Sequence, residues 1–178
     1  MNHEVIDREI KEVPADAVFQ VIRLWEDSRL KIPRRATEGS AGFDLQAACE
    51  TPITIYPGEH RKIETGLKIW IRDQNVVGII TPKSGAGLRG FGIKNTVGVI
   101  DSDYQGELVV TLWNTNEETP IEILPFMQIA QIIFIPFIAA TLTEVRVFRD
   151  ETKRGTGGFG STSLSSSETA EGVLPCQQ

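Results

Sequence analysis

The chain has 178 residues, enough for one domain whose core holds without disulfide or metal staples. Hydrophobic residues make up 40% and charged ones 24%, the profile of a soluble globular protein. The net charge is −6 and basic neighbours occur only at Arg34-Arg35, Arg61-Lys62 and Lys153-Arg154, which argues against a nucleic-acid binder and leaves any anionic substrate to a few local cations and a metal ion.

Residues 1–17 are polar and read as an N-terminal extension; Met1 to Lys11 is charged, with none of the apolar run of a signal peptide. From Val18 the texture changes to short runs rich in Val, Ile and Thr between turn residues. They are Val18–Trp25, Ile53–Tyr56, Gly66–Ile71, Val76–Ile80, Leu108–Trp113, Ile121–Leu124, Ile129–Ile135 and Thr141–Phe148. Such spacing predicts an all-β barrel or sandwich over 18–150, with one short helix over Ser84–Arg89 capped by Ser84. The longest apolar stretch, Ile129–Leu142, is interrupted by Gln131, Pro136 and Thr141 and is too short to span a bilayer. Cys49 and Cys176 match no metal-ligand spacing, and Cys176 sits in a polar tail, so neither a disulfide nor a metal site is expected. A soluble, cytoplasmic protein with no membrane partner is the expectation; for a viral protein this means the host cytoplasm. Residues 151–162 are glycine-rich, and 163–178, rich in Ser and Glu, read as a disordered tail.

Five stretches could carry chemistry. Ala41-Gly42-Phe43-Asp44-Leu45 reads first as a turn into a strand. Pro82-Lys83-Ser84-Gly85-Ala86-Gly87 ends a strand and opens a helix, where backbone N–H groups and a serine hydroxyl can hold an anion; an ordinary capped helix fits equally well. In Asn95–Glu107 the apolar residues stop at Asp101, and a hairpin tip follows with Asp103 and Tyr104. Aspartates there usually serve turn geometry, yet a carboxylate at a hairpin base can also activate water. Gln131 is an amide inside an apolar strand and must find partners. Arg154–Thr162 holds four glycines, an arginine, one phenylalanine and three hydroxyl residues. By composition it is a linker; by inventory it could wrap a phosphate chain and stack on a base.

Taken together and in this order, from about Val21 to Thr162, the five stretches resemble the trimeric dUTP pyrophosphatase family. The resemblance implies a distorted jelly-roll-type β-barrel and a homotrimer whose active sites are shared between chains. It implies Mg²⁺-assisted hydrolysis of dUTP to dUMP and pyrophosphate. Asp101 would then activate the attacking water. Tyr104 would lie under the deoxyribose and exclude a 2′-OH. Asn95, with the backbone of Gly98, Val99 and Ile100, would read uracil. Lys83, Ser84, Gly85 and Gln131 would meet phosphate oxygens, and Arg154 the terminal phosphate. Phe159 would stack on uracil while Gly160, Ser161 and Thr162 close on the phosphates. Mg²⁺ would be held by phosphates and waters with no direct protein ligand, and Asp44 would stand nearby.

Two positions depart from the family pattern. Lys83 stands where arginine is usual, and Phe126-Met127-Gln128 replaces a Gly-acidic-Arg turn. The related dCTP deaminases use a glutamate base at the position of Thr111, and threonine cannot take that role. A nucleotide-binding regulator that has lost catalysis is the other alternative, resting on the two departures alone.

Overall fold

The computed structural model describes residues 19–157. The chain divides into two units, Met1–Ala140 and Thr141–Gln178. The first holds β1 (Gln20–Arg23), β2 (Phe43–Gln46), β3 (Ile53–Ile55), β4 (His60–Trp70), β5 (Val76–Thr81), α1 (Ser84–Gly87), β6 (Phe91–Ile93), β7 (Gly98–Ile100), β8 (Glu107–Asn114), β9 (Ile121–Ile123) and β10 (Gln128–Pro136). They form two four-stranded sheets, β1-β4-β8-β6 and β2-β10-β5-β7, and a ribbon of β3 with β9. All pairings are antiparallel. The fold is all-β with one short helix, of the jelly-roll type, and the three sheets do not join into a closed hydrogen-bonded cylinder.

Alternation along each strand decides which side chains enter the core. Leu108, Val110 and Leu112 of β8 are buried, while Val109 between them is exposed. On β5, Val76 and Ile80 point inward. Leu45, Ile63, Leu67, Ile123, Ile129 and Ile132 complete a core drawn from all three sheets. Asn114, fully buried, donates to the carbonyls of Ile55 and Thr119, so this buried amide has the partners it requires.

One irregularity matters for the site. The β4–β8 ladder shifts register between Glu64 and Lys68, where Gly66 has φ 68. A β-carbon there would fall 2.6 Å from Leu30, so glycine is required both by conformation and by space. The Gly66 N–H that the bulge frees donates to the Glu107 carboxylate at 2.7 Å.

Two sequence expectations change. Thr141–Phe148 forms no strand, and Leu142, Val147 and Phe148 are largely exposed. Among the described residues no strand pairs with it. In addition, the cap of α1 is Lys83, in extended conformation, and Ser84 is the first helical residue with no capping hydrogen bond from its neighbour. The Ser84 hydroxyl is therefore not consumed in holding the helix. Among the described residues no helix is long and apolar enough to cross a membrane.

Candidate active site

Three adjacent strands bring the first, second and fourth motifs together. Gln131 of β10 pairs with Asp44 of β2 on one side and with Thr81 of β5 on the other. Two residues beyond Thr81 stands Lys83, whose ammonium lies 2.7 Å from Asp44 Oδ2 and donates to Gln128 Oε1 at 2.7 Å. The Gln131 amide donates to the Pro82 carbonyl at 3.1 Å. It fits because residue 42 is glycine: a β-carbon there would sit 2.3 Å from Gln131 Oε1. Beyond Lys83, the N–H groups of Ala86 and Gly87 turn back to the Lys83 carbonyl, leaving those of Ser84 and Gly85 at the open start of the turn. Lysine, serine, glutamine and free N–H groups form a donor-rich ledge, suited to phosphate oxygens. Beside it opens a cavity of about 600 Å³ that touches Asp44, Gln46 and Gln128 and is bordered by Arg23, Lys31 and Arg34.

The third motif makes a second, separate region. After β6 the chain turns tightly, with Thr96 N–H on the Ile93 carbonyl and Thr96 at φ 63. That turn sets Asn95 at the mouth of a cavity of about 130 Å³, walled by the β7 backbone, Val109 and Thr111. A neighbouring cavity of about 170 Å³ contains Asp101, Tyr104 and Glu107. Val99, Ile100 and Val109 line both, so the two are halves of one groove along β7. Tyr104 is fixed at both ends: its N–H donates to the Asp101 carbonyl at 3.1 Å and its hydroxyl to the Glu107 carbonyl at 2.9 Å. Gly106 makes room for the ring, because a β-carbon there would lie 2.3 Å from the phenol oxygen.

These two regions do not meet within one chain. Ile100 faces Gly78 while Gln131 faces Thr81, and β7 and β10 flank β5 on opposite sides. At about 3.3 Å per residue and 4.8 Å per strand, Asp101 lies roughly 16 Å from Gln131. Asp101 and Gln131 therefore stand toward opposite ends of β5 and on opposite sides of it.

Arg154 belongs to the second unit, where its Nε donates to the Gly157 carbonyl at 3.0 Å and closes a turn with Gly155 at φ 53. Phe159, Gly160, Ser161 and Thr162 lie outside the described residues. Among the described residues no three His, Cys, Asp or Glu side chains converge as a metal site, and Asp44 is committed to Lys83. Cys49 is a free thiol, pushed up by burial.

A family model described as dUTPase matches residues 28–163. The chain belongs to the dUTPase family. The deoxyuridine 5'-triphosphate nucleotidohydrolase of Thiobacillus denitrificans is 44% identical over 139 residues, covering 76% of this chain and 94% of that protein. Its counterpart from Blochmanniella pennsylvanica is 47% identical over 130 residues, covering 72% and 86%. Among solved structures, the Staphylococcus bacteriophage 80alpha dUTPase with dUPNHPP superposes with a TM-score of 0.72 at 25% identity, covering 83% of this chain and 99% of that one.

Within this dUTPase-family chain, the motif reading missed four contributors. Gly42 and Gly106 work by absence, as space for Gln131 and Tyr104. Val109, the exposed position of an otherwise buried strand, walls both halves of the groove. Gln128, noted only as part of a departure, holds Lys83. The run Leu108-Val109-Val110 is apolar throughout and does not mark Val109 as outward-facing, and for Gln128 no sequence signal pointed across 45 residues to Lys83.

Proposed function

We propose that the protein is a dUTP diphosphatase, hydrolysing dUTP to dUMP and pyrophosphate, lowering dUTP and supplying dUMP for thymidylate synthesis. The observation that carries this reading is the β7 groove, which sets Asn95 and Thr111 in one half and Asp101 with Tyr104 in the other. A base in the first half presents its edge to Asn95 and the β7 backbone. The narrow groove rejects thymine by its methyl. Cytosine brings a donor where uracil brings an acceptor, a mismatch costing about 1–3 kcal/mol when buried. The sugar then lies on Tyr104, whose ring, tethered through its hydroxyl to the Glu107 carbonyl, selects against a 2′-OH. Thr111 beside the base carries no carboxylate, which argues against deamination.

Asp101 accepts a proton from a water that attacks the α-phosphorus; the new P–O bond gives dUMP as the bond to the bridging oxygen breaks and pyrophosphate leaves. Mg²⁺, when bound to the triphosphate, neutralises charge that Asp101 and Asp44 would otherwise repel. Lys83, Ser84, Gly85 and Gln131 hold phosphate oxygens. Arg154 meets the terminal phosphate, Phe159 stacks on uracil, and Gly160, Ser161 and Thr162 close the site. In this reading residues 18–150 are the core, 151–162 a glycine-rich C-terminal active-site arm, and 1–17 and 163–178 extensions outside the catalytic unit.

The assembly proposed is a homotrimer with shared sites, in the cytoplasm. Its support is the separation of Asp101 from Gln131 within one chain, together with the bare apolar positions of Thr141–Phe148. Incubation with dUTP, dCTP, dTTP and UTP tests the activity: pyrophosphate is expected from dUTP alone. Asp101→Asn is expected to lower kcat by ~10²–10⁴-fold. Equal release from all four substrates, or full activity of Asp101→Asn, overturns the reading.

A further inference from the structure

Lys83 offers three N–H protons and accepts none. Asp44 Oδ2 and Gln128 Oε1 each stand 2.7 Å from its nitrogen, so two directions of the ammonium are taken. Only one proton is left for a ligand, and its direction is set by the other two. Lys83 and Gln128, 45 residues apart in the chain, touch each other.

What holds Gln128 is unusual. Phe126 has φ 60, a left-handed conformation that a bulky side chain adopts only under constraint. The constraints are visible. Its N–H donates to the Ala47 carbonyl at 2.9 Å, and its carbonyl accepts from the Gln46 amide at 2.7 Å. Its ring lies under the Arg29 guanidinium, 4.5 Å from the centroid, and edge-on to Trp25. Arg29 is itself forked onto Asp27 by bonds of 2.7 to 3.1 Å. The turn therefore ends with Gln128 paired to Gln46, followed at once by a register shift before Ala130. Strain maintained by so many contacts fixes where the Gln128 side chain starts.

We propose that Gln128 is a positioning residue for the phosphate side: with Asp44 it aims the Lys83 ammonium, so that its remaining proton meets a phosphate oxygen of the substrate, and the Phe126 turn sets Gln128 in place. This rests on the dUTP diphosphatase reading and adds a residue to it. A lysine has no planar fork and needs two fixed acceptors to point it. An arginine at 83 could lie flat on Asp44 with two parallel bonds and would not need Gln128.

That asymmetry is the test. Steady-state kinetics with dUTP are measured for the wild type, Q128M, K83R and K83R/Q128M, with the melting temperature of each. Gln128 is exposed, so Q128M should melt with the wild type. Q128M is expected to raise KM about fivefold with kcat within about twofold, the signature of lost ground-state binding. In the K83R background the same change is expected to move KM by less than about twofold. An active wild type with Q128M unchanged, or with the same loss in both backgrounds, overturns the inference and leaves the proposed function standing. A wild type inert toward dUTP overturns the proposed function itself.

Discussion

At Gly106 the site depends on a missing atom. Tyr104 folds back over this residue to reach the Glu107 carbonyl, and a β-carbon would lie 2.3 Å from its oxygen. Gly106→Ala is expected to push the ring off its seat while leaving the exposed tip folded. If Tyr104 excludes a 2′-OH by its position, the variant should lose selectivity more than it loses turnover. The ratio of kcat/KM for dUTP over UTP is expected to fall at least about tenfold, equivalent to 1.4 kcal/mol. An unchanged ratio would mean that the sugar is judged elsewhere. Gly42 has the same character, because it opens the place that the Gln131 amide occupies. Such glycines were legible in the sequence only as turn formers. Their second role, as space for a side chain far along the chain, becomes visible when β2 and β10 are paired.

At the level of elements, the β4 bulge and the site hairpin are joined through one residue. The Glu107 carboxylate accepts the Gly66 N–H that the bulge frees, and its main-chain carbonyl accepts the Tyr104 hydroxyl. Losing the side-chain acceptor leaves a buried donor unpaired, at about 1–3 kcal/mol. Glu107→Leu is therefore expected to lower Tm by several degrees, while Glu107→Gln, which keeps an acceptor oxygen, stays within about two degrees. Thermal melts of the two variants check this; equal melting would show that water satisfies the Gly66 N–H. Richness in Val, Ile and Thr between turn residues made β5 and β8 readable in the sequence, while their burial of every second residue shows only in the structure. The bulge was not readable, because Gly66 looked like the start of a strand rather than its interruption. Neither was β6, three residues with a glycine at its centre. Thr141–Phe148 has the composition of a strand but no pairing among the described residues, because composition reports a capacity that a partner strand must complete.

For the whole molecule, the decisive geometry is the distance between the two halves of the site. The β2-β10-β5-β7 sheet places Gln131 toward one end and on one side of β5, and Asp101 toward the other end and on the other side. The proposed closed ring of identical chains would solve this, because each interface could set one chain's Asp101 against its neighbour's Gln131. The motifs could be recognised along the sequence, but whether one copy or two would complete a site could not, since order along a chain carries no information about that. Mixing two inactive proteins distinguishes the arrangements. Asp101→Asn and Gln131→Ala chains are denatured together at equal concentration, refolded, and assayed on dUTP. If every site takes Asp101 from one chain and Gln131 from another, about one quarter of the sites in a random mixture carry both native residues, and activity should return to roughly that fraction of wild type. Chains refolded separately and then combined should stay inactive for as long as the assemblies do not exchange subunits. If the jointly refolded mixture is no more active than its components, each site draws both residues from one chain, and the separation along β5 must close by a movement within it.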